Sequence, residues 1–162
     1  MFLKIYTFVH VVLSLIGIGS GLVAMYGMLT RKHLAGWTAT FLITTVATSA
    51  TGFGFPYHGL TPGLTIGALS LVLLAFAIAA RYRYQLAGSW RWIYVITAVA
   101  SLYLNVFVLV VQSFVKVSAL SALAPTQTEP PFAITQAAVL AIFILITLIA
   151  IIKFRPPKAV GM

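Results

Sequence analysis

Residues 92–114, WIYVITAVASLYLNVFVLVVQSF, form an apolar stretch without a single charged side chain. A helix of this length can cross a hydrocarbon core of about 30 Å, which takes roughly 20 residues. Four further stretches are similarly apolar, at residues 5–29, 36–55, 63–81 and 132–153, and the last two each end on a basic residue. Because lipid offers no partner to backbone amides, a spanning segment must satisfy its own, so we predict five transmembrane helices.

The composition of the whole chain supports a membrane protein. Of its 162 residues, 62% are hydrophobic and 7% are charged. An ordinary soluble domain has about 25% charged residues, and a disordered chain lacks this much apolar surface. The connections between the stretches are short, so residues 1–162 are predicted to form one transmembrane domain, an all-α integral membrane bundle of five helices.

The basic residues predict how the bundle is oriented. The chain holds 10 Lys and Arg against 1 acidic residue, and every basic residue except Lys4 and Lys116 falls on one side of the five-span arrangement. The positive-inside rule then puts the N-terminus outside and the C-terminus in the cytoplasm. Arginines interleave with aromatic rings at residues 81–84 and 90–92, which we interpret as an interface belt facing anionic lipid and not as a nucleic-acid surface.

Polar side chains within the spans indicate where a site would lie. His10 and Ser14 share one face of the first span with Gly17 and Gly21, and Asn105 in the fourth span is predicted to point inward. Interhelical hydrogen bonding and contact with a ligand or water both explain such residues. The polar groups gather in the outer half of the membrane, and the predicted ligand-binding residues are His10, Ser14, Thr51, Tyr57, His58, Asn105, Gln112, Lys116 and Gln136. Residues 117–124 have helical character and are predicted to lie over this cluster as a short lid.

The residue inventory excludes several kinds of chemistry. Glu129, in a loop, is the only carboxylate side chain, and the chain has no Cys. A carboxylate pair for glycoside hydrolysis, acidic ligands for divalent metals and a Ser-His-Asp triad are therefore absent from the sequence. An intramembrane Asp or Glu for proton coupling is absent as well. We expect neither a hydrolase, nor a kinase, nor a carboxylate-coupled pump, and the residues favour a protein without catalytic activity.

Haem and quinone survive this elimination, since neither needs a carboxylate or thiol from the protein. His10 and His58 are the candidate ligands of a b-type haem, and Lys4 and Lys116 would meet its propionates. The alternative is that His10 is a packing residue and His58 a loop residue. Quinone carbonyls would accept hydrogen bonds from a set of donors drawn from the same cluster, namely His10, Asn105, Gln112 and Gln136.

Two parts of the chain resemble known sequences. The first is His10 to Gly21 followed by Arg31-Lys32-His33-Leu34-Ala35-Gly36, and the second is the Asn105 helix leading through Lys116 into Ala124-Pro125-Thr126-Gln127. They resemble families of small, uncharacterised, multi-pass bacterial inner-membrane proteins. The resemblance implies this location and transfers no activity to any residue.

Three functions are compatible with these features. The first is a non-enzymatic binding or accessory subunit of the bacterial inner membrane, whose outer-leaflet cluster takes a lipophilic ligand or a partner's helix. The second is a redox module that binds b-type haem or quinone. The third is a small oligomeric carrier or channel. The lipid bilayer is the expected partner, together with a membrane protein or further copies of the chain, and no nucleic acid is expected.

Overall fold

A computed structural model describes residues 1–56, 59 and 61–155, and every regular element in these residues is a helix. The elements are α1 (Phe2–Thr30), α2 (Ala35–Gly52), α3 (Pro62–Ile78) with a π-helical continuation (Ala79–Arg83), α4 (Trp90–Lys116), α5 (Ser118–Leu123) and α6 (Pro130–Lys153). The all-α prediction is confirmed, and the short helix predicted at residues 117–124 is present as α5.

Among the described residues, four helices are long and apolar enough to cross a membrane: α1, α3 with its continuation, α4 and α6. They coincide with four of the five predicted stretches. Helix α2 corresponds to the remaining predicted stretch, residues 36–55, but it is not among the four because its many threonines lower its mean hydropathy. Hydroxyls of α2 donate to carbonyls of the preceding turn, as Thr40 does to Gly36 at 3.0 Å and Thr44 to Thr40 at 2.7 Å. The molecule is thus a helical bundle of membrane-protein character.

Consecutive long helices are neighbours in the bundle, and α6 packs against α4 and α1. Helices α1 and α2 run antiparallel, because His10 meets Thr51 near one end of the pair while Gly27 meets Leu34 near the other. The large buried side chains include Phe41, Leu74, Tyr94, Val95, Val99 and Leu102. We call the end of the bundle where α1 ends and α4 begins the basic end, after its arginines, and the opposite end the His10 end.

The turn between α1 and α2 depends on Gly27. Arg31 ends α1 in the left-handed region at φ 59°, and the backbone N–H of Lys32 donates to the Gly27 carbonyl at 2.9 Å. A Cβ atom on Gly27 would lie 2.8 Å from the Lys32 carbonyl oxygen. A side chain at residue 27 would therefore push the returning backbone away and open the turn.

The loop between α5 and α6 is organised by Glu129. Its carboxylate accepts hydrogen bonds from the backbone N–H of Thr126 and Thr128 at 3.2 and 3.1 Å and from the Thr126 hydroxyl at 2.8 Å. Desolvation acts to raise the pKa of Glu129, but the hydrogen bonds from Thr126 and Thr128 outweigh it, and the pKa lies below its usual value. The only acidic side chain of the chain is thus committed to holding a loop at the start of α6.

Acid is expected to loosen this loop through Glu129. Because the folded state lowers the pKa of Glu129, its carboxylate stabilises the loop fully above the usual carboxyl range, and the effect is lost as the pH falls through the lowered pKa. We expect the Thr128 amide resonance to shift with that titration, and Glu129→Gln to show the released loop already at neutral pH. Amide NMR in detergent at pH 7 to 3 measures both. A Thr128 resonance that titrates equally in wild type and Glu129→Gln contradicts this.

Candidate functional site

His10 is held at the His10 end by the last turn of α2. Its Nδ1 atom lies 2.9 Å from the Thr51 hydroxyl, and its ring packs edge-on against Phe55 with the ring centres 5.1 Å apart. Tyr6, one turn earlier on α1, donates its hydroxyl to the Thr51 carbonyl at 2.6 Å. Since Nδ1 is engaged, the imidazole presents Nε2 as the nitrogen available for another partner.

A second polar contact lies about two turns deeper. The Asn105 side-chain amide donates to the Thr45 hydroxyl at 3.4 Å, which links α4 to α2. Gly17 of α1 lies opposite this pair, because a Cβ atom there would be 3.1 Å from the Thr45 hydroxyl and 3.6 Å from the Asn105 amide nitrogen. Three helices thus meet around one interhelical hydrogen bond, and the absence of a side chain at Gly17 allows it.

Between these two levels lies a hydroxyl without a partner. Thr48 is 7% exposed, and its hydroxyl makes no hydrogen bond within the described part of the chain. It follows Thr44 by four residues and precedes Thr51 by three, so it shares the α2 face that meets α1. By the same spacing Ser14 stands midway between His10 and Gly17 on α1. A buried hydroxyl without a partner costs free energy, about 1–3 kcal/mol, and such a group therefore needs an explanation.

The bundle opens toward the His10 end. On the inward face of α4, Ala98, Ser101 and Asn105 are no more than 8% exposed, but Val108 is only partly buried and Gln112 is exposed. On α1, Met28 and Ala24 are buried, whereas Ser14 and His10 are only partly buried. The faces of α1 and α4 that are buried at the basic end thus become more exposed toward the His10 end, where they carry hydroxyl, imidazole and amide groups. We use the name polar cleft for the polar residues on these faces and on the α2 face that meets α1, namely His10, Ser14, Thr48, Thr51, Asn105 and Gln112.

Not all the predicted site residues reach the polar cleft. Gln136 donates its side-chain amide to the Phe107 carbonyl at 3.2 Å, on the side of α4 that packs against α6. Phe107 and Asn105 are two residues apart on a helix, hence on nearly opposite faces. Lys116 is exposed at the last residue of α4, beyond the cleft. Tyr57 and His58 lie outside the described residues.

Two residues at this site were missing from the predicted set: Thr48 of the polar cleft and Tyr6, which bonds Thr51 beside it. Thr48 belongs to a stripe of threonines at helical spacing on α2, and that spacing is the signal that identifies it. Tyr6 lies four residues before His10, on the same helical face, but its bond to Thr51 is a contact between two helices. Sequence periodicity places a residue on a face, whereas only the packing of α1 on α2 selects its partner.

Metal chemistry has few ligands here. Among the described residues, no group of three or more His, Asp or Glu side chains is gathered closely enough to hold a metal ion. Of the residues that the structure describes, His10 is the imidazole in the polar cleft. The pairing of His10 with His58 as haem ligands stays a prediction from the sequence.

Two grooves on the outside of the bundle are apolar. One lies between α4 and α6 and encloses about 210 Å³ beside Tyr103 and Phe143. The other lies between α2 and α3 toward the basic end and encloses about 360 Å³. Neither contains the polar groups of the cleft, so the cleft remains the candidate site for a ligand with a polar end.

No protein-family model matches this sequence, and no curated protein and no solved structure matches it.

Proposed function

We propose that the protein is a five-span membrane protein without catalytic activity, which binds the polar end of a lipophilic ligand in the polar cleft. The observation that carries the proposal is the buried, unpartnered Thr48 hydroxyl between the His10–Thr51 pair and the Asn105–Thr45 pair. A polar group of a ligand, placed beside Thr48, would supply the missing hydrogen bond to its hydroxyl. The ligand's tail would extend through the open His10 end into lipid.

The proposed membrane placement counts α2 as the fifth span. Its 18 residues would extend about 27 Å at 1.5 Å per residue, close to the hydrocarbon thickness. It packs between α1 and α3, both of which are long and apolar enough to cross. Five spans put the termini on opposite sides, and the arginines at the basic end favour a cytoplasmic C-terminus. The resemblance of residues 10–21 and of the Asn105 helix supports the bacterial inner membrane as the location.

The cleft suits a ligand that both accepts and donates hydrogen bonds. Thr48 can donate or accept, and the Gln112 amide can do both. His10 can also serve through Nε2, with its role set by the tautomer. None of the residues that define the polar cleft is charged, and Lys116 lies one helical turn after Gln112 at the end of α4. A neutral polar end is therefore favoured over an ionic one, since an ion in this setting would have no counter-charge.

The matched pair Thr48→Val and Thr40→Val tests the proposal. Both changes replace a hydroxyl by a methyl on α2, but Thr40 is exposed and bonds its own helix. In detergent without ligand, Thr48→Val should unfold at the wild-type temperature or above it, because it removes an unsatisfied buried hydroxyl. The same variant, purified from its native membrane, should retain about 3–10-fold less co-purifying lipophilic molecule, the effect of losing one hydrogen bond.

The measurements are thermal unfolding and mass spectrometry of the extracted small molecules. Thr40→Val should behave as wild type in both. Equal retention of every extracted molecule by wild type, Thr48→Val and Asn105→Leu would reject a ligand in the cleft. Cross-linking of residues in the cleft to another polypeptide would instead identify the occupant as a partner's helix or a second copy.

A redox role is the second candidate, and the orientation of His10 favours it. A ligating or hydrogen-bonding imidazole is usually fixed through its other nitrogen, as Thr51 fixes Nδ1 here. A b-type haem would give a Soret absorbance that His10→Ala abolishes, and a quinone would appear among the extracted molecules. Protein that is colourless and quinone-free when purified from haem-replete, quinone-rich membranes would exclude this role.

A further inference from the structure

The α2/α3 groove has a feature that the polar cleft does not explain. Its walls are formed by Ala39, Leu42, Ile43, Val46, Ile78 and Tyr82. Toward the His10 end the two helices are in contact, since the buried Ser49 and Ser70 hydroxyls are 3.1 Å apart. Toward the basic end they leave the groove open, and Ile43 beside it is 68% exposed. The groove extends roughly 10 Å along α2, at 1.5 Å per residue from Ala39 to Val46.

The open end of the groove lies beside arginines. Tyr82 lines the groove, and the guanidinium of Arg81 lies 5.7 Å from the centre of its ring. The same guanidinium lies 5.5 Å from the ring centre of the fully buried Tyr94. Two aromatic rings therefore hold Arg81 in place next to the groove. Arg83 follows in the π-helical continuation of α3 and is exposed beside Tyr84.

No acidic side chain is available to neutralise these arginines. The single acidic side chain, Glu129, lies at the other end of the molecule and accepts its hydrogen bonds from Thr126 and Thr128. Arg91 lies near this end of α4 too, but its guanidinium already donates hydrogen bonds to two carbonyls at the end of α6. An anion from outside the protein is the group that would complement Arg81 and Arg83.

We infer that an anionic phospholipid occupies this place, with its phosphate at Arg81 and Arg83 and one acyl chain in the α2/α3 groove. The apolar walls suit the hydrocarbon, and the arginines complement the phosphate. A cation at this level of the membrane faces the lipid head groups in the proposed orientation. The inference rests on the membrane placement proposed above but not on a ligand in the polar cleft.

The test is native mass spectrometry of delipidated protein titrated with dioleoylphosphatidylglycerol or dioleoylphosphatidylcholine in a neutral detergent. Wild type should bind the anionic lipid more tightly. Arg83→Gln should weaken that binding about fivefold, since one basic residue near a lipid surface contributes about a factor of five. Arg81→Gln with Arg83→Gln should weaken it roughly twenty-five-fold. The matched control, Lys4→Gln with Lys116→Gln, removes the same charge at the His10 end and should leave the affinity unchanged.

Filling the groove tests the acyl chain separately. Ala39→Phe keeps every charge and should weaken binding of both lipids. Arg83 is exposed, so the Arg83→Gln variant still tests the arginine contribution if the variant that also changes Arg81 misfolds. Equal wild-type affinity for the two lipids, or an equal loss in the Lys4/Lys116 control, overturns the inference. So does an Ala39→Phe variant that changes the number of protein copies in the complex while binding lipid normally, because the groove would then hold a helix.

The two proposals fail in distinguishable ways. Protein that inserts fully into phosphatidylcholine nanodiscs but shows no preference for the anionic lipid contradicts only the lipid site. Protein that does not insert contradicts the membrane placement and, with it, this inference. The Thr48→Val comparison concerns the opposite end of the bundle and is independent of both lipids.

Discussion

Replacing Gly21 by alanine is expected to lower the free energy of unfolding by about 1–3 kcal/mol, the usual cost of overpacking a filled core. A Cβ atom at this position would lie 2.6 Å from Leu102 Cδ1 and 2.8 Å from the Phe41 ring. Those two side chains are 1% and 2% exposed, so either one would have to shift against its neighbours in the core. Gly21 is a point of close approach between α1, α2 and α4, and Gly21→Leu should prevent their packing.

Gly19 provides the matched control. It lies two residues away on the same helix, and a Cβ atom there would meet nothing within 4 Å. Gly19→Ala should leave the unfolding transition unchanged or raise it, because alanine favours a helix over glycine by about 1 kcal/mol. Thermal unfolding of both variants in one detergent gives the comparison. Equal transitions for Gly21→Ala and Gly19→Ala would show that α1 does not pack at Gly21.

Removing the Arg91 side chain is the second change with a large expected effect. Its guanidinium Nη1 donates to the Ile151 carbonyl at 2.6 Å and to the Phe154 carbonyl at 2.7 Å, at the end of α6. The last carbonyls of a helix have no partner within it, and a cation there also compensates the helix dipole. Hydrogen bonds to charged groups contribute about 1.5–3 kcal/mol each, so Arg91→Ala should cost about 3 kcal/mol of stability.

Arg91→Ala should loosen the end of α6 locally as well as lower the stability of the whole bundle. We expect the last turn of α6 to exchange its amide hydrogens faster in Arg91→Ala, which hydrogen exchange with mass spectrometry measures. Arg91→Lys should be intermediate, because a single ammonium replaces the planar guanidinium. Lys153→Ala, an exposed basic residue at the end of the same helix, is the control. Arg91→Ala with the stability and exchange of Lys153→Ala would mean that these bonds do not hold α6.

For Arg91, the sequence predicts the position at the membrane interface but not the contact with α6. Its position between Trp90 and Trp92 predicts an interface belt facing lipid, and the residue does lie at the basic end. The nearby Trp90 stacks on Tyr84 with the ring centres 3.9 Å apart. Nothing in residues 90–92 indicates that Arg91 reaches α6, since its partners follow it by 60 and 63 positions in the chain. Local pattern predicts depth in the membrane, whereas a long-range partner depends on which helices are neighbours.

In the candidate site, too, the sequence predicts which helix face a residue lies on but not which helix it contacts. The four-and-three spacing of His10, Ser14 and Gly17 is enough by itself to place them on one face of α1. Asn105 is expected to turn inward because an amide in hydrocarbon requires a partner. The separation of Gln136 from this group could not be predicted, because it depends on α6 packing against the far side of α4.

The amino-acid sequence is enough to predict the helical class and the approximate ends of the long helices, because apolar length and backbone hydrogen bonding are local properties. It also shows that Glu129 is the single acidic side chain, which removes most acid-base and metal chemistry. The packing of the helices is needed to show that Thr48 is buried without a partner among the described residues and that the inward face of α4 becomes exposed beyond Asn105. Those properties depend on the distances between helices, which are set by close approach at residues such as Gly21 and which no single helix encodes alone.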